Sequence, residues 1–485
     1  MSLLARRRRR ERRRRRAIAT AVLCAGFAAG VWLVRGIGAA PESDVTQPAL
    51  PAVGSGTADA LIQLARFDSK LRWPRRARKQ VEPAPPPPPP PRVPAEVLAT
   101  LPPSARLAAD GSPAWPAALA EAPRDRVVER REVAPDADGV FGPVEVEYTL
   151  DPALTERVLD ILRDVELAHV IVMDPADGRI LSYASTEPRE FPATRAYPTA
   201  SLMKLVTASA VLSQAPAASQ RPCRFIGSPY YLTQNLLDPP SRGHTASFVD
   251  ALATSNNQCF AQLAVHELGS LAVIDQMERL GLLEAPAPGH QPGEVDPVRD
   301  RLELGKLGSG LAGSRISPLT AARLAATLVD GRVVTPYWIA RARDANGTEL
   351  LVPALTAPRP VLPVTVASEL RSMMVQTTER GTARRAFHAR DGRLLLDPIP
   401  VAGKTGSLNG LNPDGHYEWF IGVAPADEPT VVIATLVVNR GKRHHTATQI
   451  AAQVLQSIFC EKGGCRSTAG ARRTAERPRD AGDRG

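Results

Sequence analysis

Residues that bind metals are scarce and badly spaced in this chain of 485 residues. Its eight histidines never fall in an HExxH spacing, and its five cysteines show no zinc-ligand pattern. No metal and no cofactor is implied. Net positive charge is also missing from the middle of the chain. The formal charge is +10, but residues 6–16 (RRRRRERRRRR) carry +9 and residues 466–485 carry +3, which leaves about −2 for everything between. A nucleic-acid partner needs basic charge on a folded face, so that function class is set aside.

What is present is distributed unevenly. After the arginine block comes AIATAVLCAGFAAGVWLV (17–34), eighteen uncharged residues ending at Arg35. With the tail of Arg35 snorkelling, this run approaches the ~20 residues that cross a bilayer as a helix. The reading is a cytoplasmic Arg-rich segment (1–16) and a single transmembrane anchor (17–40). By the positive-inside rule, the C-terminal bulk lies outside the cytoplasm, on the periplasmic side of the inner membrane. The rival is a cleaved signal peptide, against which the run is long and the arginines too many. In an oxidising compartment Cys460 could pair with Cys465 across EKGG, and Cys223 with Cys259; all four remaining as reduced, buried thiols is the alternative.

Residues 41–143 include VEPAPPPPPPPRVP, with seven consecutive prolines from Pro85 to Pro91, and are expected to form a largely irregular stalk. From residue 144 the pattern changes. VEVEYTL (144–150) alternates as a strand, DPALTERVLDILRDV (151–165) has helical spacing, and 168–185 reads as two strands joined through Asp177-Gly178. A helical region covers roughly 201–330. WFIGVAPA (419–426) and TVVIATLVVN (430–439) read as antiparallel strands, and TATQIAAQVLQSIF (446–459) as a closing amphipathic helix. Strands at both ends with helices between predict one sheet completed late, with a helical region inserted. The folded domain is placed at 144–465 and a disordered charged tail at 466–485.

Three short motifs carry chemistry. In PTASLMK, Ser201 and Lys204 sit where a helix should begin. There the dipole and free backbone N–H groups favour negative charge, and a spacing of three brings the amine toward the hydroxyl. A lysine whose pKa is lowered by burial or by another cation can serve as a general base. Ser255-Asn256-Asn257 forms a polar pause between helical runs: Ser255 offers a proton relay and Asn257 an amide, although a plain helix cap has the same letters. VAGKTGSLNG supplies Lys404, Thr405, Gly406 and Ser407, which suit an anionic substrate on a strand edge, the glycine admitting a substrate backbone. Each is weak alone.

In this order, SxxK, SxN and KTG resemble the triad of the penicillin-binding protein transpeptidases, the penicillin-recognising serine acyltransferases. The similarity extends over roughly 144–462 and includes LGSGLAGSRISPLTAARLAATLVDG, RGTARRAF (380–387) and WFIGVAPA. The resemblance implies an α/β (α+β) fold: an antiparallel five-stranded sheet flanked by helices, with an inserted all-helical subdomain. It implies Ser201 as nucleophile, Lys204 as its base, Ser255 as proton carrier to the leaving D-alanine, and Asn257 as a positioning group. Lys404 would supply positive field, Thr405 and Ser407 would bind the substrate's terminal carboxylate beside Gly406, and the N–H groups of Ser201 and Ser407 would form the oxyanion hole. The implied substrates are peptidoglycan stem peptides ending in D-Ala–D-Ala, and β-lactams would acylate the same serine.

Two features of relatives are missing. The segment before residue 144 is too short for a glycosyltransferase domain and too irregular for the usual pedestal, so a separate glycan polymerase becomes a candidate partner. A β-lactamase of the same fold is disfavoured by the 147-residue step from Asn257 to Lys404 and by the lack of an ExxLN-like segment. A D,D-carboxypeptidase differs only in its acceptor and stays open. So does a non-catalytic β-lactam sensor or wall-synthesis scaffold.

Overall fold

A computed structural model describes residues 90–466, apart from 113, 116–124, 135–141, 442–444 and 462–463. The Arg-rich segment, the expected anchor at 17–40, most of the proline run and the charged tail beyond 466 lie outside the described residues. Among the described residues no helix is long and apolar enough to cross a membrane.

The main sheet is built from two distant parts of the sequence. Strands β1 (Leu167–Met173) and β2 (Ile180–Ser185) form a hairpin through Asp177-Gly178, where Gly178 takes a positive φ of 82°. Strands β3 (Ala402–Leu411), β4 (Asp414–Ala424) and β5 (Val431–Asn439) follow more than two hundred residues later. Their order is β3-β4-β5-β1-β2, antiparallel throughout, so β5 docks on β1 and closes the five-stranded sheet. β3 is left as an edge strand.

Helix α1 (Pro152–Ile161) precedes the first hairpin; it starts at Asp151, whose carboxylate accepts from the Leu154 N–H. Between the hairpin and β3 come α2 (Met203–Gln214), α3 (Phe248–Ala253), α4 (Asn257–Leu263), α5 (Gly269–Arg279), α6 (Arg301–Ser309), α7 (Pro318–Asp330) and α8 (Val364–Glu379). Helix α9 (Ala447–Phe459) closes the domain, and a capping box of Thr446 and Gln449 starts it. β5 shows how the sheet holds two cores. Val432, Ala434, Leu436 and Val438 face the core that includes α2, α7 and α8, while Val431, Ile433 and Val437 face the one that includes α1 and α9. Buried on both faces, β5 reads as a continuous apolar run. Every residue of α7 from Pro318 to Leu328 is buried, which makes it the central helix.

Several expectations shift. The strand expected at 144–150 runs Gly142–Tyr148 and belongs to a separate three-stranded sheet with Val127–Val133 and Ile339–Arg343. The stretch 41–143, expected to be largely irregular, therefore contributes ordered structure from residue 90. Val93, Val97, Ala105 and Val127 join the main core, and Thr100 accepts from the Trp338 indole at 2.8 Å. Their apolar spacing is hidden in sequence by the surrounding prolines. The strand expected at 419–426 begins at Asp414 and ends at Ala424, because Pro425 cannot donate to the ladder. The helical run expected at 247–269 breaks at Thr254–Asn256. Both disulfides are formed, Cys223–Cys259 and Cys460–Cys465.

Candidate active site

Ser201 lies in a single tight helical turn, Ala200–Leu202, that leads into α2. The turn is clamped from two sides. The Trp419 indole on β4 donates to the Pro198 carbonyl at 2.9 Å, and the Thr199 N–H donates to the Ser314 carbonyl at 3.1 Å. Ala200 is held at φ 52°, a left-handed conformation that costs a non-glycine residue ~1–2 kcal/mol. Ser255 is held at φ 58°. Among the described residues these two are the non-glycine positions with positive φ, and both flank the same groove, where surrounding packing stores the strain. Gly310 (φ 76°) lies against the Ala200–Ser201 peptide so closely that a Cβ there would fall on the Ala200 carbonyl.

Lys204, the second residue of α2 and one turn beyond Ser201, is fully buried and is the hub of the site. Its Nζ lies 2.8 Å from Ser201 Oγ, 2.6 Å from Asn257 Oδ1 and 2.6 Å from the Ser309 carbonyl. Two of these partners only accept, and a neutral amine has two N–H groups and one lone pair. In its neutral form, with the N–H groups given to Asn257 and Ser309, the lone pair faces the Ser201 hydroxyl; as an ammonium it donates to all three oxygens. Asn257 is oriented for this by its own Nδ2, which donates to the Tyr230 carbonyl at 2.8 Å, and by its backbone N–H on the Pro229 carbonyl. Burial, and then the positive charge of Lys404, pull the Lys204 pKa well below its ordinary 10.5.

The break between α3 and α4 is what presents Ser255. Asn256 caps α4 by accepting from the Cys259 N–H, and this frees the preceding serine to project into the groove. Lys404, on edge strand β3 and fully buried, donates to Ser255 Oγ at 3.0 Å and to the Thr405 carbonyl at 2.8 Å. Burial lowers its pKa to about 7. Along β3, Gly406 is packed between Ala200 and Trp419, where a Cβ would be crowded at 3.2 Å from each. The structure thus brings Ser201, Lys204, Ser255, Asn257, Lys404, Thr405, Gly406 and Ser407 to one groove between β3 and the 254–257 break.

Four contributors had no role assigned from sequence. Thr382, inside RGTARRAF, shares a 2.6 Å hydrogen bond with Thr405 through their hydroxyls. Its segment is fastened across the groove by the Thr382 N–H on the Ala253 carbonyl and by an Arg380–Asp250 ion pair at 2.8 Å. His416 Nε2 lies 3.0 Å from Ser407 Oγ, while its Nδ1 lies 2.8 Å from Asn409 Oδ1. The last two are the backbone carbonyls of Ser309 and Tyr230, which no side-chain pattern could have marked. Among the described residues no cluster of His, Cys, Asp or Glu could hold a metal ion. No carboxylate is bonded to Ser201 or Lys204 within the described set.

Comparison with known proteins agrees with this arrangement. Residues 168–458 match the family described as the penicillin binding protein transpeptidase domain. Among curated proteins, the chain is similar to Peptidoglycan D,D-transpeptidase PbpA of Mycobacterium tuberculosis (H37Rv), 26% identical over 278 residues, covering 54% of each. It is also similar to the PbpA of Mycolicibacterium smegmatis, 27% identical over 262 residues and 51% of each. The chain spans about half the length of the curated relatives it matches. Among solved structures, that of M. tuberculosis penicillin-binding protein A as an imipenem acyl-enzyme complex aligns with a TM-score of 0.54 and 22% identity, over 65% of this chain and 80% of that one. Penicillin binding protein 3 of M. tuberculosis complexed with aztreonam aligns with a TM-score of 0.55 and 19% identity, over 69% and 82%. At these identities the structural likeness speaks for the fold alone. The family match covers more than half of the chain and holds all three motifs in order: the chain belongs to the penicillin-binding protein transpeptidase domain family.

Proposed function

We propose that the protein is a membrane-anchored peptidoglycan D,D-transpeptidase that works through an acyl-enzyme on Ser201. The observation that carries this reading is the donor-acceptor balance at Lys204. Two obligate acceptors occupy its N–H groups, and burial beside a second cation favours its neutral form.

In the first half-reaction the Ser201 hydroxyl gives its proton to Lys204 as Oγ attacks the carbonyl of the penultimate D-alanine. The charge that develops on the carbonyl oxygen is met by the N–H groups of Ser201 and Ser407. Collapse breaks the amide bond. The leaving nitrogen takes a proton through Ser255, which Lys404 holds in place, and free D-alanine departs. Thr405 and Ser407 bind the terminal carboxylate within the field of Lys404, with Thr382 and His416 holding their hydroxyls. In the second half-reaction an amine of a neighbouring stem peptide attacks the Ser201 ester, and the same groups run in reverse. A β-lactam opens onto Ser201 and leaves no small group that departs, so its ester persists. The apolar run at 17–34 supports a single-pass anchor in the cytoplasmic membrane with the catalytic domain outside it.

The test is labelling with a fluorescent penicillin, together with release of D-alanine from a stem-peptide analogue, in wild type and Ser201→Ala. Wild type is expected to hold the label and release D-alanine, and Ser201→Ala to do neither. Equal release by both would end the enzymatic reading, and rapid loss of label would indicate a β-lactamase.

A further inference from the structure

Ser407 closes the KTGS segment, and its hydroxyl has one proton to give. In the antiparallel pair β3–β4, Asn409 lies directly opposite His416 and Ser407 directly opposite Glu418, so the imidazole reaches Ser407 along the diagonal. Its Nε2 lies 3.0 Å from Ser407 Oγ, and its Nδ1 lies 2.8 Å from Asn409 Oδ1. An amide oxygen only accepts, so Nδ1 carries a proton in either charge state of the ring. The state of Nε2 then decides what Ser407 can do.

In the neutral ring Nε2 has a lone pair and accepts the Ser407 proton. The serine then shows a ligand only its oxygen lone pairs, from which a carboxylate gains nothing. In the imidazolium Nε2–H donates instead, and the hydroxyl proton is released toward the groove. Histidine is the side chain that makes this exchange between about pH 5 and pH 8. The charged group beside the ring is Glu418, a buried carboxylate on the same strand, 3.9 Å from Nε2 and beyond hydrogen-bond reach. Asp414 lies two residues earlier on that face of β4, while β3 presents the neutral Ser407 and Asn409. On β5, Asn439 stands opposite His416 and gives its amide to Glu418 at 3.4 Å and to the His445 carbonyl at 2.9 Å.

We propose that His416 is a positioning residue for carboxylate recognition: protonation of its ring turns the Ser407 hydroxyl from the imidazole to the terminal carboxylate of the ligand, so that binding of that carboxylate is linked to uptake of one proton. The inference rests on the transpeptidase reading and adds a control to one of the two hydroxyls assigned there to the carboxylate. Thr405 differs, because its partner is the Thr382 hydroxyl, which can donate or accept without a change of charge. The linkage belongs to the Ser407 side alone.

The experiment measures the second-order acylation rate constant for benzylpenicillin and for its methyl ester from pH 5 to pH 8. Their ratio cancels Lys204, which acts on both. Lys404 also moves the ratio, but it is present in every variant compared. In His416→Leu the Ser407 hydroxyl is free at every pH. The acid-to-ester ratios of wild type and variant are therefore expected to converge at pH 5. By pH 8 the wild-type ratio is expected to be about tenfold lower, the worth of one hydrogen bond to a charged group. The variant thus recognises the carboxylate better, which loss of a merely structural contact would not produce. In a Ser407→Ala background, His416→Leu is expected to change the ratio at no pH. Asn409→Asp sets a carboxylate against Nδ1–H and is expected to move the wild-type step to higher pH. Parallel ratios in wild type and His416→Leu, a lower ratio in His416→Leu at pH 8, an effect that persists without the Ser407 hydroxyl, or a step that Asn409→Asp leaves in place would overturn the proposal. Failure of benzylpenicillin to acylate wild type at any pH would instead remove the transpeptidase reading on which it rests.

Discussion

The two buried lysines are expected to give acylation of Ser201 a bell-shaped pH dependence, with a different lysine behind each limb. The perturbation is pH, and the quantity followed is the second-order rate constant for benzylpenicillin, which reports pKa values of the free enzyme. An ordinary lysine of pKa 10.5 would be neutral in only about one molecule in 3,000 at pH 7. Burial and the charge of Lys404 lower Lys204 well below that value, so the rising limb is expected to end at lower pH than an ordinary lysine would set. Lys404, lowered by burial to about 7, titrates in the opposite sense: in the role proposed for it, it would serve the ligand carboxylate only while protonated. Between pH 7 and pH 9 its charged fraction falls from a half to about one hundredth, a roughly 50-fold loss in the rate constant. The methyl ester of the same penicillin lacks the carboxylate and is expected to react slowly, without this falling limb. Stopped-flow quenching of tryptophan fluorescence, or quenched labelling on gels, measures both. A rate that climbs tenfold per pH unit to pH 10 would refute the neutral-base argument for Lys204. A falling limb shared by acid and ester would refute the role given to Lys404.

Lys404 also bears on stability. Between pH 7 and pH 10.5 the unfolded chain holds a proton there that the folded chain does not, so unfolding free energy rises with pH across that window. In urea titrations Lys404→Met is expected to lose this part of the slope; an unchanged slope would count against it. Gly310→Ala is expected to cost at least ~1–2 kcal/mol from its left-handed φ alone. Because the new Cβ falls on the Ala200 carbonyl, it should also slow penicillin acylation, and normal acylation in the folded variant would show that the Ser201 turn is not held there. Removing the Cys223–Cys259 bridge, which spans 36 residues, is expected to destabilise the domain by ~4 kcal/mol in the loop-entropy picture. The bridge ties α4 to the 223–231 segment, whose carbonyls hold Asn257 and Gln258, so acylation should fall as well. A double Cys→Ser variant with wild-type acylation would disprove the coupling.

How much of this was legible in the sequence follows from the range of the forces involved. SxxK was readable because both residues sit on one turn of chain, where spacing alone sets proximity. SxN and KTG were readable only as members of an ordered set, and ordinary caps and strands contain the same letters. The β1–β2 hairpin, α1, α7 and α9 were announced by local period and by turn or cap residues. The small sheet was not, because its strand Gly142–Tyr148 pairs with Ile339–Arg343 from far along the chain. Thr382 and His416 were missed for the same reason: a hydroxyl or imidazole gains meaning from what faces it across two strands.

Readable from the residues alone were the family motifs, the apolar runs of a late-closing sheet, and an amine three residues from Ser201. Tertiary structure alone decided that Lys204 lies with two acceptors and one hydroxyl around it, fully out of water and within the field of Lys404. Local spacing can place an amine near a serine. Only burial and long-range packing, which bring the Ser309 carbonyl and Asn257 to that nitrogen, set which of its protonation states the fold prefers.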